Sequence, residues 1–213
     1  MKIKYKKRKC FLIILIVFTF FFESKLNIIG AVSDYDINKA QKTQGLLIHI
    51  PDINKDYLYI QKHYGRTTDY LSYDFIEFID QTLNFYKINE YIDLPMMLAL
   101  IDVESEFIHE RTSRAGAYGL CQIMKRTEKI INNDYKGWFD GYYLDRKNPY
   151  DNVILSIVYL YDLLVRHDGD VESAIRFYNG GTKWKNNRRT KYYYNKIIKK
   201  RRELVDSLTT SQA

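Results

Sequence analysis

Glu104 is the side chain in this sequence that most needs a chemical explanation. It ends the apolar run from Leu94 to Val103, broken before it by Asp102 alone. Pro95 suits the first position of a helix and disfavours helix for Leu94, so a helix should begin here. Met97, Leu100, Ile101 and Glu104 then fall at i, i+3, i+4 and i+7, which places the carboxylate on an apolar face in the last turn. Burial and the negative end of the helix dipole both disfavour its ionisation. A carboxyl group with a raised pKa is what a general acid requires near neutral pH. The plain alternative is a structural role, with Glu104 salt-bridging a core-facing Arg or capping a neighbouring helix. Asp102, two positions away, faces elsewhere on a helix and is a poor second catalytic carboxylate.

Other chemistry-bearing residues give weaker signals. Tyr178 shares a helix face with Val171, Ala174 and Ile175, so its hydroxyl points inward and needs a buried polar partner. A raised-pKa carboxyl group would suit it. Cys121, beside Leu120 and Ile123, could be read as a thiol nucleophile, but packing is the better reading. His109-Glu110 opens like H-E-x-x-H, yet Ser113 stands where the second His belongs, so zinc is unsupported. His49, His63 and His167 have polar settings that imply surface positions.

The elements needed to hold these residues are helical. Leu71, Phe75, Phe78 or Ile79, Leu83 and Tyr86 predict a helix of about five turns beside the one carrying Glu104. Gly116-Ala117-Tyr118-Gly119 makes a turn, after which Leu120, Ile123, Met124 and Thr127 predict a helix ending near Asn132-Asn133. Residues 133–147 read as an aromatic loop. Asn148 as cap, Pro149 and Asp151 start another helix, and Asp170 caps the next, which Asn179-Gly180-Gly181 stops. A last helix from about Thr190 to Leu208 has Tyr194, Ile197, Ile198, Arg201, Val205 and Leu208 on one face. Six or seven helices and little sheet make the fold mostly α.

The 213 residues suffice for one good-sized domain and a short appendage. A basic leader with six Lys or Arg in residues 1–9 precedes an apolar run from Cys10 to Phe22. That length suits an export signal better than a membrane span. Residues 1–31 are therefore expected to be a signal peptide, with Gly30-Ala31 one place for cleavage, or an uncleaved anchor. Residues 32–68 read as a polar tether with a short strand near Leu46–Ile50 or a short helix near Asp56–Tyr64, and 69–213 as the helical domain. With Cys10 in the leader, Cys121 has no partner for an internal disulfide.

The formal charge of +7 is unevenly spread: residues 183–202 carry +10 and residues 10–182 carry −7. The basic end with Tyr192, Tyr193 and Tyr194 would suit nucleic acid, but an export leader argues against that partner. A membrane surface or an anionic wall polymer suits the same charges, and a merely solvated helix face is the plain alternative.

Taken together, these residues resemble the soluble lytic transglycosylase (SLT) domain, a goose-type-lysozyme-like family that cuts peptidoglycan. The family pattern Glu-Ser-x-Phe stands here as Glu104-Ser105-Glu106-Phe107. A Ser and then Gly-Ala-x-Gly-Leu-Met-Gln stand as Ser113 and Gly116-Ala117-Tyr118-Gly119-Leu120-Cys121-Gln122. Asn152-Val153, Tyr159-Leu160 and Tyr178-Asn179-Gly180-Gly181 follow in order, so the motif core covers 94–185. Departures from the usual pattern are Cys121 for Met, Lys125 for Pro, Arg111 for Ala and Gly180 for Ala.

The resemblance implies a lysozyme-like fold, no cofactor or metal, peptidoglycan glycan strands as substrate, and a place in the periplasm or on the outer face of the cytoplasmic membrane. It implies that Glu104 is both acid and base, with Ser113, Gln122, Met124, Tyr178 and Asn179 lining the glycan groove or holding the glutamate. The product implied is 1,6-anhydromuramic acid. A hydrolase using water and a catalytically silent glycan-binding envelope protein are the alternatives.

Overall fold

A computed structural model describes residues 72–209. The expectations for the leader at 1–31 and the tether at 32–68 lie outside the described residues.

Most of the helices begin where a side chain accepts from a first-turn N–H, the exception being the helix Lys125–Asp134, which has no side-chain cap. Helix α1 (Tyr73–Phe85) is capped by Ser72, whose hydroxyl accepts from the Phe75 N–H at 3.3 Å. It is shorter than five turns because this cap sets its start after Leu71. Helix α2 (Leu94–Ser105) is capped by Asp93, which accepts from Met96 N–H at 2.9 Å, with Pro95 in the first turn. Helix α3 spans Lys125–Asp134, and a 3-10 turn follows at Lys136–Trp138. Asn148 caps α4 (Pro149–Arg166), and Asp170 caps α5 (Val171–Gly180). A second 3-10 turn, Gly181–Lys183, leads to α6 (Arg188–Thr209). Among the described residues there are six α-helices and no strand; two isolated antiparallel bridges join Thr112 to Tyr118 and Tyr118 to Ile123.

Those bridges correct the expectation that Leu120, Ile123 and Met124 open a helix. Gln122 adopts a left-handed backbone with φ of 50°, and Tyr118 and Ile123 exchange N–H···O bonds of 3.1 and 2.9 Å. The chain is thereby held in a tight loop, and α3 starts only at Lys125.

The core is built around α2. Met97, Leu98, Leu100 and Ile101 are fully buried, each contributing roughly 1.5–3 kcal/mol by leaving water. Helix α6 runs antiparallel along α2: Tyr193 near its start meets Glu104, and Arg201 near its end pairs with Asp93. The buried side of α6 is Thr190, Tyr193, Ile197 and Leu204. Of the face expected from the sequence Ile197 is buried, while Tyr194, Ile198 and Arg201 are half-buried and Tyr193 turns inward. Helix α5 packs on both α4 and α6, and α1 on α2 and α4. Among the described residues no helix is long and apolar enough to cross a membrane.

Candidate active site

Glu104 sits one residue before the end of α2 because the backbone turns sharply there. Ser105 is buried and its hydroxyl donates back to the Ile101 carbonyl at 3.1 Å. Glu106 and Phe107 then both take left-handed conformations, with φ of 53° and 60°. Such a conformation costs an L-residue about 1–2 kcal/mol. Burial of the Phe107 ring, 3% exposed, offsets part of it. The Glu-Ser-x-Phe string is thus a helix-ending device that leaves Glu104 facing inward on the last turn.

The Glu104 carboxyl group accepts a hydrogen bond of 2.5 Å from the Tyr193 hydroxyl. Loss of surrounding water pushes its pKa up to about 7 from an ordinary 4.5, against the lowering effects of Tyr193 and of the positive charge of Lys196. Asp102 is spoken for: Lys200 Nζ lies 2.5 Å from its Oδ2. Among the described residues no Arg forms the salt bridge to Glu104 that the structural alternative requires; the group bonded to Glu104 is a neutral phenol.

Tyr178 faces inward, but its partner is not Glu104. Its hydroxyl donates to the Cys121 carbonyl at 2.7 Å and lies 3.0 Å from Ser156 Oγ. Desolvation raises its pKa well above the ordinary value, and the nearby charge of Glu104 adds to the effect. Cys121 is fully buried and burial pushes its thiol up, which fits packing and not nucleophilic work.

Ser113 and Gln122 shape the loop between α2 and α3. Ser113 Oγ accepts from the Ala117 N–H at 3.0 Å, and Gln122 Nε2 donates to the carbonyls of Arg111 and Gly119, both at 2.9 Å. Met124, 40% exposed, ends this loop, and Asn179 is exposed at the end of α5. None of Ser113, Gln122, Met124 or Asn179 hydrogen-bonds Glu104 among the described residues. Arg111 is turned outward into an ion pair with Glu106 at 3.0 Å.

Asn152 clamps this loop onto α4. Its Oδ1 accepts from Cys121 N–H at 2.8 Å, and its Nδ2 donates to the Tyr118 and Arg146 carbonyls at 2.9 and 2.7 Å. Gly119, with φ of +86°, is required by the same clamp: a Cβ there would lie 2.3 Å from Asn152 Nδ2. Gly180 has a comparable reason, since a Cβ would meet Thr190 Cγ2 at 2.4 Å. An Ala is usual at that position in the family resembled; here Thr190, whose hydroxyl donates to the Trp184 and Asn187 carbonyls, takes the space.

Two residues were hidden in the sequence. Tyr193 lies in a run of three tyrosines, and its inward register is signalled by its four-residue spacing to Ile197. Arg146 supports the glycine loop by donating to the Gly116 and Ile123 carbonyls at 2.9 and 3.2 Å. His167 is not the surface residue its polar neighbours imply. Its ring packs against Phe177 and Trp184, at centroid distances of 5.6 and 5.4 Å.

Residues 81–201, more than half of the chain, match the Transglycosylase SLT domain family. The chain belongs to that family. The match runs from within α1 to the Arg201 that pairs with Asp93, so this SLT domain takes in Tyr193 and most of α6, beyond the motif core at 94–185. Membership places the chain among peptidoglycan-acting proteins of the lytic-transglycosylase type.

Proposed function

We propose that the protein is a peptidoglycan lytic transglycosylase in which Glu104 is the single acid and base. The observation that carries this reading is the carboxyl group with a pKa of about 7, desolvated and held by a neutral phenol. At neutral pH a substantial fraction of it is protonated, as proton donation to a leaving oxygen requires. The substrate bond is the β-1,4 link between N-acetylmuramic acid and N-acetylglucosamine.

Glu104 gives its proton to the glycosidic oxygen, the C1–O bond breaks, and an oxocarbenium-like centre forms at C1 of the muramic acid. The C6 hydroxyl of the same sugar then attacks C1, and its proton passes to Glu104. The products are a 1,6-anhydromuramic end and a free 4-hydroxyl on N-acetylglucosamine, with the enzyme returned to its starting protonation state. No second carboxylate takes part, which agrees with Asp102 being engaged by Lys200.

Ser113, Gln122, Met124, Tyr178 and Asn179 belong to this reading as the groove. Gln122 and Ser113 hold its loop, Tyr178 braces the loop's Cys121 carbonyl, and exposed Met124 and Asn179 offer contacts to the strand. The basic leader and the Cys10–Phe22 run support export, to the periplasm or the outer face of the cytoplasmic membrane.

The test is digestion of purified peptidoglycan with mass analysis of the muramic products. Anhydro ends, lighter than reducing ends by one water, are expected, and Glu104→Gln should release none. Reducing ends would assign the protein as a hydrolase that uses water.

A further inference from the structure

Helix α6 carries a second stripe beside the one it buries. Arg189, Tyr192, Lys196 and Lys199 recur at i, i+3, i+7 and i+10, a spacing that stacks side chains along one flank of an α-helix. All four are exposed, Tyr192 by 72%. Arg189, Tyr192 and Lys196 each immediately precede a buried residue, Thr190, Tyr193 and Ile197, so the stripe adjoins the α2 interface. Lys196 lies one turn beyond Tyr193, whose hydroxyl rests on Glu104, and its charge is felt by that carboxyl group. Neither Arg189 nor Lys196 has an ion-pair partner among the described residues, and Lys199 reaches Glu203 at 3.7 Å in an exposed pair. The other cations at this interface are engaged, Lys200 by Asp102 and Arg201 by Asp93.

We propose that this flank is a carboxylate-reading wall beside the cleavage site, in which Arg189, Lys196 and Lys199 hold free carboxylates borne by the substrate strand while exposed Tyr192 lies against a sugar face. The proposal rests on the reading of Glu104 as the acid of a peptidoglycan-cleaving site. A glycan strand bound across Glu104 brings its substituents alongside: stem peptides, which end in carboxylates, or, where the peptide has been removed, free lactyl carboxylates. Charge complementarity next to the scissile bond selects this occupant over a lipid surface. A helix that lies in a membrane presents an apolar face, whereas the apolar face of α6 is used against α2 and the stripe contains no aliphatic side chain.

The experiment is co-sedimentation with insoluble peptidoglycan, using the full chain carrying Glu104→Gln so that binding is read without cleavage. Three walls are compared: native, with carboxylates amidated by carbodiimide and ammonia, and stripped of peptides so that lactyl carboxylates are free. Amidation is expected to weaken retention about ten-fold at low salt, an effect that salt should screen. Arg189→Gln with Lys196→Gln should weaken retention on native wall roughly five-fold, in keeping with exposed charge pairs, and should make little difference on amidated wall. The charge-matched pair Arg188→Gln with Arg202→Gln, on the solvent-facing back of the helix, should retain the native pattern. Binding kept on the stripped wall shows that a free lactyl carboxylate suffices, and binding lost there assigns the stem peptide.

Equal retention of native and amidated walls would overturn the proposal, as would an Arg188/Arg202 variant behaving like the stripe variant. Stripe-dependent binding to vesicles of anionic phospholipid, with none to the wall, would overturn it in favour of a membrane. Product mass, read separately on the chain with Glu104 intact, distinguishes failure of the transglycosylase reading from failure of this one.

Discussion

Replacing Glu104 by Gln is expected to stabilise the protein above pH 7. In the unfolded chain the carboxyl group titrates near 4.5, and in the fold at about 7. Between those values the folded chain retains a proton that the unfolded chain has released, so stability falls as pH rises through this window. Below 4.5 both states are protonated and the group has no effect on the balance; above 7 the loss is complete. At 1.36 kcal/mol per unit, the displacement corresponds to about 3 kcal/mol, trimmed toward about 2 kcal/mol by the partial exposure of the side chain. Gln keeps an oxygen to accept from Tyr193 and carries no charge, so it escapes this loss. Urea melts of the two proteins across pH 4 to 8.5 check the reasoning. The gap between them should be near zero at the acid end and about 2–3 kcal/mol at the alkaline end. A gap independent of pH, or a Gln variant less stable at pH 8, would refute the claim that Glu104 is held as a desolvated acid.

The hydrogen bond from Tyr193 lowers the pKa of Glu104, so Tyr193→Phe should move the alkaline limb of the pH–rate profile upward by about one unit. A limb that stays in place or moves down would contradict the contact. Asn152→Ala removes three hydrogen bonds of 2.7–2.9 Å at a fully buried site; a loss of about 2–4 kcal/mol is expected in denaturant melts, and less than about 1 kcal/mol would mean the loop is held by something else. Gly180→Ala should destabilise the protein through its clash with Thr190 Cγ2, and adding Thr190→Ser, which deletes that methyl group, should recover most of the loss. Additive effects of the two changes would show that the clash is not the cause.

Much of the fold was legible because its helix starts are written in short-range chemistry. Asn148-Pro149 and Asp170 cap as their residue types require, and Pro95 lies in the first turn of α2 behind the Asp93 cap, although Leu94 before it is already helical. Glu104 was legible for a related reason: a carboxylate in an apolar helical face has few comfortable states. What hid Tyr193 was the run Tyr192-Tyr193-Tyr194, where a face drawn through Tyr194, Ile197 and Ile198 looks as apolar as the true one through Tyr193 and Ile197. The choice is made by α2, which presents Glu104, Asp102 and Asp93 to Tyr193, Lys200 and Arg201. Pairings about a hundred residues apart leave no local trace. The Tyr178 hydroxyl went to the Cys121 carbonyl for the same reason, since a backbone acceptor freed by a tight loop has no signature in residue type. The late start of α3 reflects the left-handed Gln122 and the bridge across it, which override an apolar spacing that looks helical.

The central claim is that Glu104 alone runs acid and base chemistry while the substrate supplies the nucleophile. Its most direct test is the mass of the muramic ends released from purified peptidoglycan by the unaltered protein and by Glu104→Gln. The account predicts 1,6-anhydro ends from the former and none from the latter. Reducing ends bearing oxygen from solvent, or solubilisation by the Gln variant, would contradict it.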